Sequence, residues 1–278
     1  MSEELPLVTV IIPARNAERE LGDCLRRVLE QDYPSERMEV LIAEGRSADG
    51  TRALAEQAAN AHSRVRLIDN PTGLIPQGLN RAIAQAWGEV IVRVDAHARI
   101  ARDYLRQCVR ILYETGAGNV GGPVRPVGEG YWGAAIAAAY GSWFGRGGGK
   151  LHDPSYRGEV DTVYLGCFPK PVLEELGGFD ESLSKNQDIE LNHRLIESGH
   201  KVFLDPEIRS EYVVRSSLRA LWRYHFDTGW WNIISWRRHP GSLSLRHFVP
   251  LAFVLALIAL LVWAAFSTVG RQALGGFG

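Results

Sequence analysis

Residues 8–18 read VTVIIPARNAE. The β-branched run at 8–12 predicts a short buried strand. Asn16 is placed to cap the helix that follows. Leu21, Cys24, Leu25, Val28 and Leu29 then recur at helical spacing. Outward from this unit the pattern repeats. Residues 39–43 (EVLIA) predict a second strand, and 53–61 an alanine-rich helix. Residues 65–68 predict a third strand. Leu79, Ala82, Ile83 and Ala86 mark another helix, and 90–94 a fourth strand that ends at Asp95. Strands alternating with helices predict an α/β fold with a mostly parallel central sheet covered on both faces. Ligands of such sheets lie beyond the carboxyl ends of the strands. Polar residues gather there: Arg15 and Asn16, then Glu44, Ser47 and Asp49, then Asp95 and His97.

The composition narrows the function. At 278 residues the chain can bury a core without staples, and a net charge of −1 leaves no surplus cation for nucleic acid. Cys24, Cys108 and Cys167 are odd in number and far apart, which argues against a disulfide framework or a zinc site. The opening MSEELPLVTV lacks the basic and apolar regions of a secretory signal, so none is expected. The first strand leads into PARNAE rather than GxGxxG, and Leu151 follows Lys150 in the glycine-rich run. Neither a dinucleotide fingerprint nor a P-loop is present. The run at 147–149 reads as a loop.

The C-terminal end differs. Residues 248–266 (FVPLAFVLALIALLVWAAF) contain no charge. At helical rise they span about 28 Å, which predicts a transmembrane helix over 248–270; the competing reading is a helix buried in a soluble core. Arg237, Arg238, His239, Arg246 and His247 precede the segment and only Arg271 follows closely, so the preceding domain is expected to face the cytoplasm at the cytoplasmic membrane. Trp222, Tyr224, Phe226, Trp230, Trp231 and Trp236 are interleaved with arginines and histidines. Such a mixture suits a membrane interface or a helix packed on the domain. The same pair of readings holds for 131–144 (YWGAAIAAAYGSWF). The expected units are a catalytic domain at 1–214, an interfacial helical segment at 215–247, the membrane helix at 248–270 and a tail at 271–278.

VTVIIPARNAE at 8–18, EVLIAEGRSADGT at 39–51, VDAH at 94–97, GGFDE at 177–181 and NQDIELNHRL at 186–195 come in a fixed order. Together they resemble the family 2 glycosyltransferases of the GT-A fold, within the ExoA-like succinoglycan-biosynthesis subgroup. The resemblance covers about 8–231 and continues into the apolar segment. It implies an inverting hexosyltransferase that uses a nucleotide-diphosphate sugar, with a UDP-sugar favoured. It places Pro13, Ala14, Arg15, Glu44, Ser47 and Asp49 at the nucleotide, and Asn80, Arg93 and Asp95 on the sugar–diphosphate side. DAH stands where relatives carry DxD, so Asp95 and His97 are expected to hold a divalent cation, Mn2+ or Mg2+. Asp188 matches the aspartate that takes the acceptor's proton. Gly166 and Asp180 are expected to border the acceptor. Relatives often read ED where this chain has Gln187–Asp188, and QxxRW is missing near His225, which favours transfer of one sugar per encounter.

The chemistry of the residues agrees with these roles. Breaking an anomeric bond to a diphosphate releases negative charge, which a divalent cation offsets without proton transfer. Direct displacement needs one base, whereas sugar hydrolases need a carboxyl pair. Simpler roles compete: Ser47 and Asp49 can cap a helix, Arg93 can pair with a surface carboxylate, and the glycines can serve turns. The expected acceptor is a saccharide hydroxyl, on a polyprenyl-diphosphate-linked chain if the enzyme is membrane-bound. Transfer to polyprenyl phosphate and an inactive nucleotide-sugar-binding scaffold are the alternatives.

Overall fold

A computed structural model gives the fold over residues 5–142, 149–238 and 249–266, with the side chains at 235, 250 and 265 set aside. The first four strands are β1 (Val8–Ala14), β2 (Met38–Glu44), β3 (Val65–Asp69) and β4 (Val90–Arg93). They are parallel neighbours in the order β3-β2-β1-β4. Helices α1 (Leu21–Leu29), α2 (Thr51–Ala61) and α3 (Ile75–Gln85) make the crossovers. β1 shows why the run at 8–12 has no polar alternation. Val8, Val10 and Ile12 enter the core shared with Leu21, Cys24 and Val28 of α1, while Ile11 enters the opposite core with Leu79 and Ile83 of α3. A strand covered on both faces must be apolar throughout.

The sheet then departs from the simple pattern. After β5 (Ala98–Ile100), α4 (Tyr104–Thr115), β6 (Asn119–Gly122), β7 (Arg125–Val127), α5 (Gly130–Gly141) and β8 (Gly158–Glu159), the chain forms β9 (Tyr164–Pro169). β9 inserts antiparallel between β4 and β6. It is followed by α6 (Lys170–Glu175), α7 (Gln187–Glu197), β10 (Val202–Leu204) and β11 (Ser210–Val213). The large sheet has eight strands, β3-β2-β1-β4-β9-β6-β10-β8, and a second sheet has the order β5-β11-β7. β9 carries Leu165 and Gly166 at φ of +70° and +94°. These left-handed residues break the pairing with β6, and with it the regular periodicity that announces a strand.

Asn16 does not cap α1. Glu20 is the residue before that helix, and Asn16 itself adopts φ +50°. Its N–H donates to Ser47 Oγ at 3.0 Å and its side-chain oxygen accepts from Ala48 N–H at 2.9 Å. The residue ties the first crossover loop to the second.

Beyond β11 run α8 (Leu218–Arg238) and α9 (Val249–Phe266). α8 displays an exposed apolar stripe of Leu218, Trp222, Phe226, Trp230, Ile233 and Trp236, residues that share one side of a helix. α9 forms where the uncharged segment predicts a helix, with exposed apolar side chains along its length. Its eighteen residues rise about 27 Å. Among the described residues no helix is long and apolar enough to cross a membrane, so they do not supply the expected transmembrane helix. The glycines at 147 and 148, the basic flank at 239–247, and the tail at 271–278 lie outside the described residues, as do 267–270.

Candidate active site

A cavity of about 780 Å³ lies beyond the carboxyl ends of β1, β2 and β4. β1 ends in Pro13 and Ala14 on its wall with Arg15 just beyond, and β2 contributes Ala43 while Gly45 follows. Arg93, Asp95 and His97 enter from the end of β4, and Val213, the last residue of β11, lines the cavity with Val214 and Arg215. Gly73, at φ +69°, lines the cavity where the loop after β3 passes Gly45 beyond the end of β2. A methyl group there would stand 2.8 Å from the Gly45 carbonyl and 3.0 Å from the Arg15 guanidinium. Arg15 already donates to the Gly73 carbonyl at 3.3 Å.

Arg93 organises the charge. It is 4% exposed, its Nε donates to Asp95 Oδ1 at 2.9 Å, and its Nη1 pairs with Asp188. Burial would lower Arg93, but the two carboxylates outweigh it and hold the guanidinium firmly charged. Asp188 sits on the first turn of α7, with 44% of its side-chain surface still open to solvent. Crowding by the surrounding protein pushes its carboxyl above the ordinary 3.8, Arg93 pulls it back and Asp95 adds to the rise. The net shift is upward. Asp95 and Asp188 therefore belong to one charge cluster at the cavity edge.

α7 is anchored from below. Asn192, one turn after Asp188, accepts from Asn119 Nδ2 at 2.8 Å and donates to Thr162 Oγ1 at 3.1 Å. Asn119 also accepts from Cys167 N–H of β9 at 3.1 Å. These buried amides fix the depth of the helix and so the reach of Asp188. Arg194 pairs with Glu190 and donates to the Gly178 carbonyl at 2.8 Å, which ties α7 to the GGFDE turn.

Several sequence-predicted residues support the cavity without lining it. Glu44 is fully buried; it accepts from Ser47 N–H at 2.7 Å and from Arg52 at 3.2 Å. Asp49 accepts from Thr51 N–H at 3.1 Å and from the Thr51 hydroxyl at 2.6 Å, the helix-start role. Ser47 bonds Asn16, as described above. Asn80 clamps the GGFDE turn: it donates to the Phe179 carbonyl at 2.9 Å and accepts from Phe179 N–H at 2.8 Å. Asp180 accepts from Ser182 N–H at 2.8 Å inside that turn. Gly166 lies within β9, where a side chain would meet the Phe168 ring at 2.8 Å. The structure brings Pro13, Ala14, Arg15, Arg93, Asp95 and His97 to one cavity, with Asp188 attached through Arg93. Arg215 joins them from a stretch without motif; only its charge marked it.

Asp95 and His97 stand as the candidate cation ligands. Both line the cavity, and Asp95 makes its described hydrogen bond through Oδ1 alone. The His97 ring packs edge-on against Tyr212 at 6.2 Å between centroids. Among the described residues no group of three or more His, Cys, Asp or Glu side chains is placed to hold a metal. One carboxylate and one imidazole fit a divalent ion whose remaining ligands come from a phosphate-bearing substrate or water.

An open α/β sheet with a cavity at its strand ends is the usual ligand-binding arrangement of such folds. The chain matches glycosyl transferase family 2 over residues 9–169 and belongs to that family; it is a glycosyltransferase. It is 30% identical to the succinoglycan biosynthesis protein ExoA of Rhizobium meliloti, over 94% of this chain and 81% of that protein. It is 26% identical, over 92% of this chain and 81% of the other, to a Methanococcus voltae transferase named for a dolichyl N-acetylglucosaminyl phosphate acceptor and a diacetamido-dideoxyglucuronosyl group. Among solved structures, the mannosyltransferase PcManGT of Pyrobaculum calidifontis, in complex with GDP-Man and Mn2+, superposes with a TM-score of 0.72 at 23% identity, over 98% of this chain and 79% of that one. The fold is therefore GT-A-like, with the antiparallel insertion of β9.

Proposed function

We propose that the protein moves one hexosyl group from a nucleotide-diphosphate sugar to a hydroxyl of a lipid-linked saccharide, with inversion, in polysaccharide or glycoconjugate biosynthesis. The observation that carries the proposal is the Asp95–Arg93–Asp188 cluster at the edge of the strand-end cavity. The nucleotide lies along Pro13, Ala14 and Arg15, and the sugar points toward Asp188. A uracil base is favoured by the family resemblance. Glu44, Ser47 and Asp49 shape the nucleotide wall from behind. Asn80, Gly166 and Asp180 set the turn and strand that border the acceptor.

Asp188 takes the proton of the acceptor hydroxyl as its oxygen bonds to the anomeric carbon. The diphosphate leaves from the opposite face, so one displacement inverts the centre. A Mn2+ or Mg2+ ion held by Asp95 and His97 would neutralise the charge on the leaving diphosphate. Arg93 keeps Asp188 in reach and adds fixed positive charge between the two ends of the reaction.

Support for a lipid-linked acceptor comes from the aromatic stripe of α8, the apolar surface of α9 and the dolichyl-linked substrate in one relative's name. In this reading α9 and the residues around it anchor the chain in the cytoplasmic membrane, with the catalytic domain on the cytoplasmic side. A tethered enzyme meets a tethered substrate at raised effective concentration. The test is a donor screen with Mn2+ or Mg2+, reading nucleotide release with polyprenyl-diphosphate-linked and soluble saccharide acceptors. Acceptor-dependent release with a lipid-linked substrate is expected. Release to water alone across the whole panel would sink the proposal.

A further inference from the structure

Beside the donor cavity lies a second pocket of about 640 Å³, at the start of α8. Its walls include Lys185, Arg215, Arg219 and Arg223, against the single carboxylate of Asp227. Lys185 lies 3.7 Å from Asp227, and Arg215 stacks over Tyr224 at 4.9 Å. Arg219 and Arg223 make no ion pair among the described residues. Four cations around one hollow repel one another, and an anion seated there relieves that repulsion.

The position says which anion. The pocket shares Arg215 and Ala220 with the donor cavity, so the two are neighbours. Lys185 stands three residues before Asp188, so the pocket borders the segment that leads into the base. α8 is held over this side by Asn186, whose amide donates to Asn232 at 2.8 Å. The first turn of α8 adds the positive end of a 21-residue helix. Arg219 and Arg223 are one turn apart and flank Trp222 of the exposed aromatic stripe. An anion suits this pocket, and whatever is attached to it can leave along the exposed apolar surface of the helix.

We infer that this pocket seats the diphosphate of the lipid-linked acceptor, with the polyprenyl chain departing beside the aromatic stripe and the saccharide directed toward Asp188. The inference rests on the reading of the chain as a transferase acting on a lipid-linked saccharide, and adds the subsite that recognises the lipid's diphosphate. Arg219 and Arg223 supply the anion's partners, Arg215 separates it from the donor's own diphosphate, and Lys185 couples its seating to the turn that carries the base.

The test uses the full chain and phosphatidylcholine vesicles. One set carries a polyprenyl-diphosphate-linked saccharide. Another carries phosphatidylglycerol to the same surface charge, and inorganic pyrophosphate serves as a soluble competitor. For the Arg219→Gln/Arg223→Gln double variant, binding to the polyprenyl-diphosphate vesicles is expected to weaken about tenfold, with a much smaller change on phosphatidylglycerol. Affinity for the nucleotide sugar should stay within about twofold. Equal losses on both vesicle types overturn the inference in favour of general attraction to an anionic surface. Equal loss of donor affinity overturns it in favour of the donor's diphosphate. Pyrophosphate that binds as tightly as the lipid overturns the lipid source. Full turnover on a soluble saccharide without vesicles refutes the lipid-linked reading itself, whereas a double variant that still binds the lipid normally refutes only the pocket.

Discussion

The guanidinium of Arg93 is shared between Asp95, at the end of β4, and Asp188, on the first turn of α7. Removing it leaves two carboxylates at one cavity edge without their cation. Arg93→Met is expected to destabilise the fold by about 2–3 kcal/mol, less than for a wholly enclosed pair because Asp188 keeps solvent contact. Urea unfolding measures this. The same substitution should move the acid limb of the rate profile further up, since the group that pulls the Asp188 carboxyl down is gone. Arg93→Lys should fall between the two, because an ammonium cannot fork to both partners. An unshifted limb in Arg93→Met would separate Arg93 from the base.

Asp188 itself sets the sign of the pH dependence. A base works only after losing its proton, and this carboxyl holds its proton more tightly than an ordinary aspartate. The rate under saturating donor and acceptor is therefore expected to rise with pH, through an inflection above the usual carboxylate value. The linked stability term has the opposite slope. It is fully present below about pH 3.8 and is lost as pH rises through the raised value. Asp188→Asn should lower kcat by about 10²–10⁴-fold, erase the acid limb and leave nucleotide affinity nearly unchanged. A variant with full kcat would end the assignment of Asp188 as base.

The first four strands and three helices were legible because two-sided burial forces long apolar runs and helical spacing, as at Val8, Val10, Ile11 and Ile12. β9 was not. Its left-handed Leu165 and Gly166 erase the alternation, and its place between β4 and β6 is a long-range pairing that no local pattern carries. Within the site, motif order pointed to Asp95, His97 and Asp188, while the bridge made by Arg93 depended on a contact across distant segments. The family resemblance assigned Glu44, Ser47 and Asp49 to the nucleotide, but their side chains are spent on neighbouring loop and helix groups. A carboxylate at a strand end reads the same in sequence whether it faces a ligand or braces the loop that does.

Gly73 offers a test of the donor cavity that leaves the charged cluster alone. Gly73→Ala forces a side chain into a left-handed position and toward the Gly45 carbonyl and Arg15. The backbone cost is about 1–2 kcal/mol. Because the new methyl crowds the cavity wall, affinity for the nucleotide is expected to drop about tenfold by calorimetry, with kcat at saturating donor changed much less. Loss of stability without loss of nucleotide affinity would place the nucleotide elsewhere.

Cation dependence separates the two sides of the site. Chelation should abolish transfer, and added Mn2+ or Mg2+ should restore it. His97→Ala removes a proposed ligand but not the Arg93 bridge, so the metal concentration for half-maximal activity should rise about 10–100-fold while the acid limb stays in place. Asp95→Asn removes a ligand and one partner of Arg93 together. It should raise the metal requirement and also lower the acid limb, because a like charge that lifts the Asp188 carboxyl is lost. The combination matters more than either effect. A metal requirement unchanged in both variants would refute Asp95 and His97 as ligands. A metal requirement raised in both, with the limb moving only in Asp95→Asn, would tie the leaving-group side and the base side of one cavity to the same aspartate.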